Sequence, residues 1–306
     1  MLILLVFLFI SFSNTIFCLN ANLNELKSYR FVEKYVLMNE KKLIIIREMT
    51  FYDEEEFYLC LDPEKLNTSL IKKTNYILLD KKDFTNSLYW KVKTHFLSNQ
   101  NTIAEVKKNE KITNHFRILL TTDLCPSTNK MDYDFYITIK DIERVSSFSI
   151  PFIIFFSGKW IEIHKDDLMW LKTNNLNFLA GNHTYHHHII KDEFSEEKLI
   201  TEITNTELMM IKNGIVPSCF FRFPGLKYKK ENLNVLAKLN LIPLGVNFWI
   251  GQKFIPENSI LLVHSNGKMK VEVNMFKKFT RGFKAKLTDG NIRFLSPDEW
   301  LKMSLQ

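Results

Sequence analysis

Along the last two thirds of the chain, short apolar runs alternate with segments whose apolar residues recur every three or four positions. The runs fall at 118–120, 152–156, 178–180, 219–223, 244–246 and 260–263. Each is too short for a helix and is bounded by polar or turn-forming residues, so each reads as a buried strand. Between them, one segment carries Phe135, Ile139 and Ile142 on one helical face; another carries Leu199, Ile203 and Met210 and stops at Gly214, a common residue just past a helix end. Ser296-Pro297-Asp298-Glu299 sets a capping serine before a proline and a glutamate three residues on, and so opens the last helix. This alternation predicts an α/β chain with a parallel sheet or barrel.

The first hundred residues follow another pattern. All nine glycines lie at or after Gly158, and only Pro63 precedes Pro126. Turns here must be built from Asn, Asp, Ser and Lys, as at 67–69 and 99–102. Strand-like runs at 43–47, 57–61 and 76–79 predict a small α+β region over residues 22–104. The polar stretch 105–114 reads as a linker, and the barrel domain spans 105–306.

The extreme N-terminus is apolar from Leu2 to Ile10, continues with small polar breaks to Phe17, and meets its first charge at Glu25. Residues 1–21 are therefore expected to be a signal peptide or membrane anchor, with a buried N-terminal element as the third reading. Phe17 before Cys18 argues against lipidation. Export to the periplasm, the cell envelope or the medium follows from either of the first two readings.

Composition narrows the field further. Of 306 residues, 46% are hydrophobic and 25% charged, which excludes intrinsic disorder, collagen-like repeats and a multispanning membrane protein. A net charge of +7 over this length is mild, and no basic run is interleaved with aromatics, so no nucleic-acid partner is expected. There is no CxxC pair, phosphate-binding glycine loop or serine nucleophile elbow. Cys125 and Cys219 both lie beside motifs discussed below; they pair with each other or stay as buried thiols.

Chemistry gathers at the ends of the apolar runs. The first ends in Asp123, the third in His183 and the sixth in His264, while the fourth carries Arg222. In a parallel α/β barrel the C-terminal strand ends converge on one face, where catalytic groups are supplied from several strands. The segment Gly181-Asn182-His183-Thr184-Tyr185-His186-His187-His188 holds four of the eight histidines. His183 and His187, four apart, have the spacing that lets two imidazoles share a metal from one helical turn.

These segments, taken together, resemble the polysaccharide deacetylases of carbohydrate esterase family 4. Leu120-Thr121-Thr122-Asp123-Leu124-Cys125-Pro126-Ser127 is similar to their first motif, TFDDGPS. His183-Thr184-x-x-His187 is similar to the second, and Arg222-Phe223-Pro224-Gly225 to a shortened third. Asn247-Phe248-Trp249 stands where the fourth is found, and Leu262-Val263-His264 resembles the fifth. The match runs over about 116–300, in order.

The resemblance implies a distorted parallel (β/α) barrel that removes N-acetyl groups from an amino-sugar glycan with a divalent metal, usually zinc. It implies His183 and His187 as metal ligands and Asp123 as the general base for water, with the metal polarising the amide carbonyl. Arg222 would hold Asp123 ionised, and His264 would protonate the departing amine. Trp249 and Pro224 would meet substrate, and Trp160 offers another ring face.

One residue departs from the family pattern. Leu124 stands where the family has its third metal ligand, an aspartate. Asp134 from the following loop, Asp123 itself, or no residue at all are the three readings of that vacancy; His186 or His188 would need an irregular turn. A glycan-binding protein that keeps the barrel without catalysis is the alternative function, and hydrolysis of a non-sugar C–N bond shares the same site.

Overall fold

The computed structural model describes residues 26–104, 115–146, 148–190, 194–252, 256–282 and 284–305. The apolar segment 1–21 and the whole of the 105–114 linker lie outside them. Among the described residues, no helix is long and apolar enough to cross a membrane.

The N-terminal strands are β1 (Leu26–Met38), β2 (Lys41–Phe51), β3 (Glu56–Leu61), β4 (Thr68–Lys72) and β5 (Ile77–Leu78). They form an antiparallel sheet in the order β4-β3-β2-β1-β5. Without glycine, the β1–β2 hairpin turns through Asn39 (φ 48) and Glu40 (φ 64), the two left-handed positions that a tight hairpin requires. The Asp62 carboxylate accepts the backbone N–H groups of Glu64 and Lys65, a turn made by a side chain as the composition demands. Helix α1 (Leu88–Asn99), capped by Ser87, closes this region.

The second sheet is parallel throughout. It comprises β6 (Phe116–Leu124), β7 (Phe152–Phe156), β8 (Phe178–Asn182), β9 (Pro217–Phe221), β10 (Ile242–Pro243), β11 (Phe248–Trp249), β12 (Asn258–His264) and β13 (Ile292–Phe294). Their order is β10-β9-β8-β7-β6-β12-β11, with β13 also on β6. The helices are α2 (Tyr133–Ser146), α3 (Gly158–Ile163), α4 (Lys165–Thr173), α5 (Glu196–Lys212), α6 (Lys230–Lys238), α7 (Lys270–Gly282), α8 (Lys284–Thr288) and α9 (Pro297–Ser304). The expected barrel is thus a curled sheet of parallel strands with helices, and the N-terminal region adds an antiparallel sheet. Five of the six runs became strands where expected; the run at 244–246 is preceded by β10 and contributes only Leu244, bridged to Ile103.

The two sheets share one core. Ile44, Ile46, Phe51 and Leu61 from the first pack in the same cluster as Leu119, Ile153, Phe221 and Ile242 from the second. Within this contact Arg47 is fully buried and its Nε and Nη2 donate to both carboxylate oxygens of Glu207 on α5, each at 2.8 Å. Tyr29 on β1 donates to the same carboxylate at 2.6 Å, and Arg47 Nη1 reaches the Leu239 carbonyl. A charge buried with its partners is tolerated; one stripped of its partner is not.

Replacing Glu207 with Gln should therefore destabilise the protein by about 3–5 kcal/mol in urea unfolding, since it leaves Arg47 buried without a counterion. A loss under about 1 kcal/mol would show that this pair does not hold the sheets together.

Candidate active site

Strand register builds the site. Asp123 on β6 is paired with His264 on β12 and with Phe155 on β7, Phe155 with Gly181 on β8, and Asn182 with Phe221 on β9. His183 and Arg222 each lie one residue beyond the last pairing, so Asp123, His183, Arg222 and His264 sit level at the C-terminal edge, where the strand-end pattern puts them.

Arg222 is the most constrained side chain there. It is fully buried, and its Nη1 donates to Asp123 Oδ1 at 2.6 Å and Thr121 Oγ1 at 3.0 Å. Nη2 donates to the Gly245 carbonyl at 3.0 Å and Nε to that of Leu244 at 3.3 Å. The Phe155 ring lies 4.1 Å from the guanidinium carbon, and Gly181 makes room for that ring, since a Cβ there would come 2.5 Å from it. Burial pushes the Asp123 carboxyl upward, but Arg222, His183 and His264 together hold it below the ordinary carboxylate value. Asp123 is therefore an ionised, oriented acceptor.

The histidine segment is not helical. His183 leaves β8 with its N–H on the Phe156 carbonyl at 2.9 Å, and Thr184 (φ 62) and His187 (φ 61) both take left-handed conformations. This loop, rather than the helical turn the spacing suggested, brings the rings together. It is pinned to the start of α3: Gly158 and Lys159 donate to the Thr184 and Tyr185 carbonyls at 3.2 and 2.9 Å. A Cβ on Gly158 would stand 2.0 Å from the Tyr185 ring, so only glycine fits there.

The ring nitrogens are set for a cation. His183 Nδ1 lies 2.8 Å from the Arg222 carbonyl, which accepts only, so Nδ1 carries the proton and Nε2 a lone pair. Burial pushes this imidazole down to about 4, and burial also lowers His187. His183 Nε2 and His187 Nε2 are 3.1 Å apart; two imidazoles on one tetrahedral zinc hold their nitrogens about 3.3 Å apart. Asp123 Oδ2 is 3.6 Å from His183 Nε2. Cys125 Sγ and one nitrogen of each of His183 and His187 lie within 4.8 Å of one another. This donor set fits a small dication. A second group, His186, His188 and Glu202, is as closely spaced, but the Glu202 carboxylate is spent on the His186 ring at 2.6 Å and its N–H at 2.8 Å.

His264 differs from His183. Its Nδ1 is 3.0 Å from Glu272 Oε2 on α7, and the same oxygen accepts the His264 N–H at 2.7 Å. Burial works to lower this imidazole, yet the Glu272 hydrogen bond and the Asp123 charge raise it above the ordinary value. Glu272 was not legible as a site residue, because its only signal is the eight-residue spacing from His264 into a helix.

Several expectations are corrected. Asp134 does not approach the imidazoles: it lies exposed on the first turn of α2, ion-paired with Lys277 at 2.7 Å. Leu124, fully buried, faces the outer core shared with Phe156 and Trp160. Trp160 is itself fully buried, so it offers no face to a sugar. Pro224 is buried at the head of the single turn Pro224–Leu226 and shapes the chain after Arg222 rather than lining the surface. Trp249 is 39% exposed and paired with Leu262, two residues short of His264. Cys125 and Cys219 are both free, and Cys219 donates to the Leu66 carbonyl of the N-terminal region. His164, at the N-terminal cap of α4, is buried and links Asp167 to the Ser127 carbonyl, so fixing the loop after β6.

The family model described as polysaccharide deacetylase matches residues 110–243. That segment contains Asp123, His183, His187 and Arg222, so the resemblance read from the motifs is borne out. Among solved structures, the family 4 carbohydrate esterase from Bacillus anthracis is 21% identical with TM-score 0.51, over 68% of this chain and 91% of that one. The Bc1960 peptidoglycan N-acetylglucosamine deacetylase is 17% identical with TM-score 0.51, over 69% and 97%. PdaA of Bacillus subtilis, another family 4 carbohydrate esterase, is 14% identical with TM-score 0.51, over 69% and 88%. At such identities the likeness is one of fold.

Changing Glu272 to Gln removes the anion that raises His264. In chelator-treated protein, NMR titration of the His264 ring should then give a lower midpoint than in the unchanged protein; an unaltered midpoint would show that Glu272 does not set it.

Proposed function

We propose that the protein is an exported, metal-dependent hydrolase that removes N-acetyl groups from an amino-sugar glycan of the cell envelope, of peptidoglycan or chitin type. The observation that carries this reading is the buried Asp123–Arg222 pair standing against His183, with His264 level with it on the neighbouring strand. The match to the deacetylase family model supports the substrate class, and the apolar segment at 1–21 supports export.

His183 and His187 would hold the dication, with zinc the metal best suited to imidazole donors, and it would act there as a Lewis acid on the amide carbonyl. The chain supplies the rest. Asp123, ionised at neutral pH, takes a proton from the attacking water. Arg222 keeps that carboxylate from rotating, since every polar atom of the guanidinium is engaged. His264, with Nδ1 directed at Glu272, carries its mobile proton on Nε2 and delivers it to the amine nitrogen as the C–N bond breaks. Water enters, and acetate and the free amine leave. Trp249 offers an exposed apolar face on which a sugar ring can rest.

The test is acetate release from acetylated amino-sugar oligomers by purified protein with and without zinc. Release should require metal, stop on chelation, and fall by about 10²–10⁴-fold in Asp123→Asn, the usual contribution of a general base. Glycan binding indifferent to chelator, without acetate, would favour the non-catalytic reading; turnover confined to non-sugar amides would move the substrate class.

A further inference from the structure

We propose that Cys125 supplies the third protein ligand of the metal site, so that a thiolate and two imidazoles replace a carboxylate and two imidazoles. This rests on the deacetylase reading for the two imidazoles and adds to it the donor that Leu124 cannot give.

Strand alternation puts Cys125 on the same face as Asp123. Side chains on a strand alternate between faces. Asp123 faces the site, Leu124 turns outward into the core with its partner Phe156, and Cys125 returns to the site side. Its Sγ meets nitrogens of both His183 and His187 within 4.8 Å, and it belongs to no disulfide. Of the two carboxylates the sequence offered, one is partly engaged and the other is remote. Asp123 Oδ1 is held by Arg222 at 2.6 Å, and Asp134 is on the outer surface with Lys277.

The segment that carries Cys125 is held from three sides. Ser157 Oγ donates to the Leu124 carbonyl at 2.9 Å, Lys268 Nζ to that of Pro126 at 2.9 Å, and His164 Nε2 to that of Ser127 at 2.7 Å. A donor on so fixed a backbone is preorganised. A thiolate carries the same single negative charge as the aspartate it replaces, so the charge balance with a dication is unchanged. Its softness is not the same: sulfur with two imidazoles selects zinc or cobalt over manganese and magnesium. Asp123 is then left free of metal duty and available as the base.

The test uses cobalt(II) alone, titrated into the full chain and into the variants C125S, C125D and H187A. Cobalt bound to a thiolate gives a sulfur-to-metal charge-transfer band in the near ultraviolet beside the visible bands of a tetrahedral site. The unchanged protein should show both at one equivalent. C125S should lose the ultraviolet band and bind at least about tenfold more weakly, consistent with loss of a ligand from a three-donor site. C125D should recover affinity without the ultraviolet band, and H187A should lose tight binding. One equivalent bound through His187 without a sulfur band, or C125S binding as tightly as the unchanged protein, overturns the proposal while leaving the deacetylase reading intact. A sulfur band without acetate release from the zinc form upholds the ligand and removes the activity. No binding at all overturns both.

Discussion

A carboxylate and a guanidinium, both taken out of water, meet at the centre of this fold, and the geometry around them follows from the need to compensate that burial. Desolvating either ion alone costs several kcal/mol. Asp123 and Arg222 escape that cost only because the guanidinium spends its donors on Asp123, Thr121 and the carbonyls of Leu244 and Gly245, with Phe155 against it. Those partners come from β6, from β7 and from the chain that leaves β10. The same contacts therefore hold the strand ends together and keep a carboxylate ionised.

The two key histidines show how surroundings divide one residue type between two jobs. His183 gives its Nδ1 proton to the Arg222 carbonyl, and burial keeps the ring neutral, a lone pair forward. His264 gives its Nδ1 proton to the Glu272 carboxylate, which favours the charged ring. In the proposed mechanism the first binds a cation and the second carries a proton. Environments that drive like groups apart in acidity are a general mark of acid–base sites. Arg222 links the two halves, holding Asp123 with its side chain and His183 with its backbone.

Much of this was legible in the residues. Buried parallel strands announce themselves as short apolar runs, and what stands just past each run is what reaches the active edge; Asp123, His183 and His264 were found that way. What failed was local geometry. The four-residue spacing of His183 and His187 suggested a helical turn, whereas left-handed Thr184 and His187 build a loop, a choice set by the contact of Tyr185 with Gly158. Asp134 offers a carboxylate at a suggestive spacing, yet it lies in the first turn of a helix and pairs with Lys277 on the exposed side. In the sequence Cys125 reads as a disulfide partner or a buried thiol, although its two-residue step from Asp123 already puts both on one face. In the N-terminal region β1 and α1 went unread because neither has a clean period: β1 is half-buried along most of its length, and α1 mixes buried Lys93 among its apolar residues.

At Asp123 pairing outweighs burial. Its carboxyl carbon can be followed directly by 13C NMR in chelator-treated protein, with Asp123→Asn identifying the signal. The midpoint should lie below the ordinary aspartate value of about 3.9. A midpoint above that value would mean that desolvation has won, and that the guanidinium does not hold Asp123 in its ionised form.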